Sequence, residues 1–327
     1  MTRSLNWGLL STAHINEKLM PAIRGADGHR LYGVASRDAE RAQDYASEWG
    51  IPHAYGSYEA LLADEHVDVV YNALPNHLHA AWTIKAAEAG KHVLCEKPIA
   101  LNPQEVDAIA AAAAKNQVVV MEAFMYRHHP RTKKVRELVN CGALGKIEHF
   151  SGHYTFVLDR PGNYRWLPEA GGGSVWDVGC YPVSYARLVM GRSPVEVLAK
   201  AEWIEPGADF SMNGILTYGD GATAEVFSSF GLPVSMRADA YGREGALLNL
   251  SPYHPGAQFP LWLAQEGQLC MLNTPYPSLY RGEVLNMGAA IRGEASPLIS
   301  LAESREINAV ICALIESAQL GKAVRLE

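Results

Sequence analysis

The feature that most constrains this chain is the alternation of short apolar runs with helix-period stretches through its first third. Leu5–Leu10, Arg30–Ser36, Val67–Asn72, His92–Cys95 and Val118–Glu122 are strand-like. Between them lie His14–Arg24, a stretch opened by Asp38 and ended at Gly50, Asn76–Ala89 stopped by Gly90, and one opened by Asn102-Pro103-Gln104-Glu105. In the last, Asn serves as N-cap, Pro suits the first helical position and Glu sits three residues beyond the cap. Strands separated by helices of this length join through right-handed crossovers into a parallel sheet covered on both faces. Such sheets bind ligands in the crevice outside the carboxyl ends of their strands.

The rest of the chain reads differently. Ile147–Phe156, Val195–Ile204, Met212–Tyr218, Thr223–Ser229, Ser235–Tyr241 and Ala246–Leu250 are strand-like runs with turns such as Gly219-Asp220-Gly221 between some of them. Strands that follow one another without helices predict a large, open, mostly antiparallel sheet, and Leu301–Leu320 is a closing helix stopped by Gly321. A chain of 327 residues is too long for one core. The expected organisation is α/β: a nucleotide-binding parallel-sheet domain over residues 1–125 and an α+β domain over 126–327. The second domain has too few helices to cover both sheet faces, so a homodimer or larger homo-oligomer is expected to bury the open face.

Charge and composition exclude several classes. A formal charge of −7 argues against a nucleic-acid or anionic-membrane surface. No run approaches the ~18 apolar residues that would span a bilayer. The start, Met1-Thr2-Arg3-Ser4-Leu5-Asn6-Trp7, lacks the apolar region of a signal peptide. Five scattered cysteines without paired spacing fit free thiols, so a cytoplasmic location is expected.

The first strand leads into Gly8-Leu9-Leu10-Ser11-Thr12-Ala13-His14-Ile15-Asn16, a G-x-G-x-x-G turn in which Ser11, Ala13 and Asn16 stand at glycine positions. Small residues still let backbone approach a pyrophosphate at the helix start, and the Ser11 and Thr12 hydroxyls add donors. The second strand ends in Ser36-Arg37, with Arg41 one turn further on, where NAD-binding folds carry an acidic residue. A hydroxyl and guanidinium groups suit a 2′-phosphate, which points to NADP rather than NAD.

Candidate chemistry lies further along. Lys97, in Glu96-Lys97-Pro98, ends a buried strand and points at the ligand crevice. Gly171-Gly172-Gly173-Ser174-Val175-Trp176-Asp177-Val178-Gly179-Cys180-Tyr181 offers a carboxylate and a phenol four apart, on one face if helical. Oxidising an alcohol removes a hydride from carbon and a proton from oxygen. A phenol is a poor base at neutral pH, and a nearby ammonium favours its ionised form. Tyr181 is therefore the candidate acid/base and Lys97 its electrostatic partner, with Asp177 binding a substrate hydroxyl or orienting the lysine. His77-x-His79 and His128-His129 lack further ligands at metal-binding spacing, so no metal is expected.

In order, Trp7–Ala13, Ala73-Leu74-Pro75-Asn76-His77-Leu78-His79, Gly90–Pro98, Glu122-Ala123-Phe124-Met125-Tyr126-Arg127 and Gly171–Tyr181 resemble the glucose–fructose oxidoreductase/inositol dehydrogenase (Gfo/Idh/MocA) family. The likeness is strongest to its branch of dihydrodiol and NADP-dependent xylose dehydrogenases. It implies a Rossmann domain, an open-sheet C-terminal domain, sugar-like or diol substrates, and Lys97 and Tyr181 as catalytic groups. It also implies that Arg165 reaches the cofactor. The Leu74-Pro75-Asn76 turn is expected to pass beneath the nicotinamide, Glu96 to orient the site, and His79, a helix-start residue, to touch the cofactor ribose. The same family includes a nucleotide-sensing transcriptional regulator and glycoside hydrolases that use a bound nucleotide. The intact Lys97, Asp177 and Tyr181 favour a dehydrogenase or reductase over the regulator.

Overall fold

The computed structural model describes residues 3–256 and 258–326. The chain divides into two compact units, Met1–Met125 with Tyr280–Arg305, and Tyr126–Leu279 with Glu306–Glu327. The second stretch of the first unit, Tyr280–Arg305, is one that a single cut at 125/126 assigns to the C-terminal domain.

The first unit contains β1 (Leu5–Leu10), α1 (Asn16–Arg24), β2 (His29–Ala35), α2 (Ala39–Trp49), β3 (His53–Tyr55), α3 (Tyr58–Ala63), β4 (Val69–Asn72), α4 (His79–Glu88), β5 (His92–Glu96), α5 (Pro103–Asn116) and β6 (Val120–Ala123). The strands lie in the order β3-β2-β1-β4-β5-β6, and every neighbouring pair is parallel. The order reverses between β1 and β4. Connections there leave to opposite sides, which opens a crevice at the carboxyl ends of those strands. Both faces are buried: Leu9, Val34, Tyr71 and Leu94 belong to one core cluster, and Leu10, Ala35, Val70 and Val93 to the other. Helix starts follow their capping residues. Asn102 accepts from Glu105 N at 2.9 Å while the Glu105 carboxylate accepts from Leu101 N at 2.9 Å. Asp38 caps α2 by accepting from Arg41 N at 3.1 Å.

The second unit holds α6 (Pro130–Asn140), β7 (Ile147–Val157), α7 (Cys180–Met190), β8 (Glu196–Ile204), β9 (Ala208–Thr217), β10 (Thr223–Ser229), β11 (Gly231–Gly242), β12 (Ala246–Asn249), β13 (Leu261–Gln265) and β14 (Gln268–Leu272). Next come α8 (Arg281–Ile291), which belongs to the first unit, and α9 (Leu301–Leu320), which starts in the first unit and ends in the second; β15 (Val324–Arg325) closes the chain. Among the described residues the second sheet has nine strands, ordered β14-β13-β12-β11-β7-β10-β9-β8-β15. Its pairs are antiparallel apart from β7 with β10. Side chains alternate between two faces. Val197, Ala199, Met212 and Leu216 are buried, whereas Leu198 and Ile215 are 46% and 49% exposed. The buried face is covered by α7, whose Pro182 would meet a Cβ on Gly152, and by α9, whose Ser317 hydroxyl accepts from Ala199 N at 2.9 Å.

Differences from the sequence expectation have local causes. Val284 and Met287 of α8 pack into the core of the first unit with Trp7, Leu19 and Ile23, which takes this helix out of the C-terminal domain. Glycines at 282 and 288 weaken its helical signature. The β13–β14 hairpin turns on Glu266-Gly267, both at positive φ (50° and 74°), a two-residue turn of the kind that suits the twist of antiparallel strands. Strand β3 is only three residues long, too short to show alternation.

Candidate functional site

The nucleotide residues expected from sequence fall at the carboxyl ends of four adjacent strands. Ser11–Ile15 follow β1, Ser36 and Arg37 follow β2, Leu74–Asn76 follow β4, and Glu96 ends β5 with Lys97 next after it. Ser11 stands at a glycine position and adopts glycine-like backbone, with φ of 91°. Two bonds hold it there: the Ser11 hydroxyl donates to Ala73 O at 3.2 Å, and Asn16 Nδ2 donates to Ser11 O at 2.8 Å. Asn16 is fully buried and thus does by side-chain hydrogen bonding what glycine does by conformational freedom. Ala13 and Ile15 pack against the core, while His14 faces solvent and pairs with Glu17 at 2.8 Å. Helix α1 has no side-chain cap at Ile15, and the N–H groups of Asn16, Glu17 and Lys18 donate to Ala13 O, His14 O and Ile15 O, so the part suited to an anion is the Ser11–Ile15 turn beside the positive dipole end.

The end of β2 carries the cationic part. Ser36 Oγ accepts from Asp38 N at 3.3 Å, and Asp38 is itself engaged as the α2 cap. Its carboxylate is thereby committed to the helix start. Arg41 Nε donates to Thr12 Oγ1 at 2.8 Å, which ties the α2 start to the β1 turn. Burial raises the Tyr58 phenol, and both Arg37 and Arg41 oppose that rise, which places the two cations about one phenol. Small residues in a turn at the positive end of a helix and two guanidinium groups fit a dinucleotide that carries a 2′-phosphate.

At the β4 and β5 ends, the Tyr71 hydroxyl donates to Glu96, and Lys97 N donates to Glu96 Oε2 at 3.3 Å. Glu96 therefore holds both the Tyr71 hydroxyl and the backbone at Lys97. Asn72 Nδ2 donates to His79 O and Thr83 Oγ1, each at 3.1 Å. His79 itself departs from expectation. Its ring is 1% exposed, with Nδ1 at 2.7 Å from Pro98 O and Nε2 at 2.6 Å from Leu74 O. Burial lowers its pKa to about 4 against those two carbonyls, which favour the charged ring. The neutral ring donates its single N–H to one of these carbonyls and packs its other edge against the second, so His79 is enclosed between the turn after β4 and the turn after Lys97. Glu122 plays a similar part from β6: Oε1 accepts from Ile99 N at 3.0 Å.

In the second unit, Asp177 lies in a π-helical turn, Val175–Gly179, that runs directly into α7. Single π turns inside helices recur at functional sites. The expected helical relation of Asp177 to Tyr181 thus spans a widened turn. Arg165 Nε donates to Asp177 Oδ2 at 2.7 Å. Burial disfavours the charged guanidinium, but Asp177 outweighs it and the net shift is upward. Arg165 is accordingly paired with Asp177, a partnership that spacing did not suggest. Tyr181 is 6% exposed and sits among rings: Tyr253 at 5.3 Å, Tyr154 at 5.4 Å, Tyr126 at 5.8 Å and His254 at 6.4 Å between centroids. Scattered tyrosines gave no sequence signal for this nest. The glycine triplet, by contrast, has a plain cause. A Cβ on Gly172 would lie 2.6 Å from both Arg165 O and Leu167 O, and one on Gly173 would overlap the Asp209 carboxylate.

An open parallel sheet with an anion-suited turn at its reversal point defines a dinucleotide-dependent oxidoreductase of two units. Residues 5–124 match the oxidoreductase family with an NAD-binding Rossmann fold, and residues 132–248 match the GFO/IDH/MocA C-terminal domain. The chain belongs to the Gfo/Idh/MocA family. It is 39% identical over 325 residues to D-xylose 1-dehydrogenase (NADP(+)) 2 of Haloferax volcanii, covering 98% of this chain and 99% of that one. It is 33% identical over 244 residues, 74% of each chain, to trans-1,2-dihydrobenzene-1,2-diol dehydrogenase of Xenopus tropicalis. The structure of the 3-ketoreductase KijD10 from Actinomadura kijaniata, in complex with NADP and TDP-benzene, superposes with a TM-score of 0.89 at 26% identity over 96% of this chain and 98% of that one.

The buried Glu122 carboxyl yields a test. Burial raises its pKa to about 7, against the nearby Ser304 hydroxyl and the bond from Ile99 N, which favour the ionised form. A carboxyl whose pKa rises on folding contributes stability that is complete below the ordinary glutamate range and is lost as pH climbs through about 7. Glu122→Gln should therefore flatten the loss of thermal stability between roughly pH 5 and pH 8. Melting curves in which wild type and variant keep a constant separation across that range would contradict the assignment.

Proposed function

We propose that this protein is an NADP-dependent dehydrogenase or reductase acting on the CH–OH group of a sugar, polyol or cyclic diol. The observation that carries the cofactor half is the β2 end, where Arg37 and Arg41 are present and the nearest carboxylate, Asp38, is spent as a helix cap. Relatives named for xylose and for a dihydrodiol, both bearing adjacent hydroxyls, support the substrate class.

Bound NADP supplies the hydride acceptor or donor. Ser11 to Ile15 and the α1 start would hold its pyrophosphate, with Ser36, Arg37 and Arg41 at the 2′-phosphate and Leu74, Pro75 and Asn76 at the nicotinamide end. Tyr181 takes the hydroxyl proton during oxidation and returns it during reduction. The Lys97 ammonium favours the phenolate and anchors the reacting oxygen, and Glu96 fixes its backbone. Asp177, held by Arg165, accepts a neighbouring substrate hydroxyl.

Three outcomes follow. NADP should bind more tightly than NAD, and Arg37→Ala should weaken NADP selectively, by about 1.5–3 kcal/mol per lost charge-assisted bond. Fluorescence titration with NADPH and NADH measures this, and equal affinities in the wild type would remove the 2′-phosphate reading.

Lys97→Met and Tyr181→Phe should each lower turnover on the order of 10²–10⁴-fold while leaving NADPH binding intact. A panel of aldoses, polyols and cyclic diols, followed as NADPH absorbance, supplies the substrate. Near wild-type turnover in Tyr181→Phe would take the phenol out of the proton transfer.

The protein should form a homodimer or larger homo-oligomer through the open sheet face, where Leu198 and Ile215 are about half exposed. Light scattering that shows a monomer at micromolar concentration would refute it.

A further inference from the structure

The helical segment that carries Asp177 and Tyr181 begins without a cap of its own. Ser174 holds the N-cap position, and its side chain caps none of the segment's own backbone. The cap comes instead from a strand. Asp209, near the start of β9, accepts through Oδ2 from the Ser174 hydroxyl at 2.6 Å and from Val175 N at 2.8 Å. The Ser174 hydroxyl also lies 2.9 Å from Ser228 Oγ on β10. Gly173, at φ of 111°, brings the chain so close to Asp209 that no side chain fits between them. Gly173 N in turn donates to Arg165 O at 2.9 Å, and Arg165 holds Asp177 through its side chain. The segment is therefore fastened at its start to two strands and, further on, to Arg165.

We propose that Asp209 is a positioning residue for the oxidoreductase site, a buried carboxyl that fixes the start of the helical segment against β9 and β10 and so sets where Asp177 and Tyr181 are held. The inference rests on the reading of Tyr181 as the proton-transfer group. Ser174 is of a residue type that caps helices locally, but its hydroxyl is turned to Asp209 and Ser228 and away from the segment's own backbone. A carboxylate supplied by a strand does more, because it ties the helix to the sheet. The arrangement is costly: Asp209 is 2% exposed, and burial pushes its pKa up to about 6 against the bonds it accepts. A lock of this kind matters where a displacement of about 1 Å costs on the order of 10²-fold in rate. The glycine triplet follows from the same requirement, since Gly173 exists to let the chain touch this carboxyl.

The test is a double-mutant cycle on the full chain. Asp209→Asn keeps the volume and removes the charge, Ser228→Ala removes the neighbouring hydroxyl, and each is combined with Tyr181→Phe. Turnover is read on the best member of the aldose, polyol and diol panel with NADP, binding by NADPH fluorescence, and local order by amide hydrogen exchange over residues 174–181. Asp209→Asn should lower kcat about tenfold to a hundredfold, leave NADPH affinity unchanged and speed exchange in that segment. Ser228→Ala should do the same to a smaller degree, and it serves as the informative variant if Asp209→Asn does not fold. In the Tyr181→Phe background neither change should lower turnover much further, as expected for groups that act through one another. Wild-type kcat in both Asp209→Asn and Ser228→Ala overturns the proposal. So does a loss in the Tyr181→Phe background as large as in the wild type, which marks a general weakening of the fold. Full turnover in Tyr181→Phe alone overturns the catalytic reading itself, and that outcome is separate from either result at Asp209.

Discussion

The reversal of strand order between β1 and β4 is the constraint on which the nucleotide half of the molecule depends. In a parallel sheet every crossover must run over one face, and only where the winding changes side do two neighbouring connections part. β1 lies between β2 and β4, so its carboxyl end is where that parting occurs. The turn that follows must be tight and must keep side chains out of the crevice. This chain meets the first demand without glycine at position 11. Ser11 takes a positive φ and is secured by Ala73 on one side and Asn16 on the other. Both anchors come from the elements that flank the crevice, so the turn and the sheet order hold each other in place.

The second unit solves a different problem, which is to hold a short segment of helix rigidly on a sheet that is open on its other side. The solution is close backbone approach. Glycine at 172 and 173 lets the chain fold onto the carbonyls of 165 and 167 and onto Asp209, and Gly179 comes close to Ser228. Behind Tyr181 the packing is aromatic, with Tyr126 bonded to Ser184 at 2.9 Å and Tyr253 fully buried. Rings of this size have few rotamers and bury much apolar area, which restricts movement of the phenol they surround.

Buried carboxyls recur at these places. Glu122 supports the backbone two residues beyond Lys97, and Asp209 supports the backbone two residues before Asp177. In each case a raised pKa records the expense of burial, and in each the carboxyl accepts from backbone N–H groups that no secondary structure satisfies. A fold optimised only for stability would replace such groups with apolar ones. Their position next to the segments that carry Lys97 and Tyr181 fits the site proposed there, since local rules are commonly broken at functional sites and compensated elsewhere.

Much of this was legible in one dimension because it depends on local chemistry. Alternating period fixes strands and helices, Asn102 and Asp38 announce helix starts, and the step from helix-separated to helix-free strands separates the parallel from the antiparallel sheet. Ser36, Arg37 and Arg41 carry in their charge the NADP reading proposed above, and a strand ending in Glu96-Lys97-Pro98 points to the carboxyl ends of the parallel strands. Long-range packing decided the rest. The return of α8 to the first unit depends on Val284 and Met287 matching a core built from residues near the other end of the chain. Whether His79 faces a ligand or two carbonyls, and whether Arg165 meets a phosphate or Asp177, depends on which elements fold against them. In sequence Asp209 lies unmarked between two strand-like runs, and only the tertiary structure, by bringing β9 to within hydrogen-bonding reach of Ser174, gives it a task.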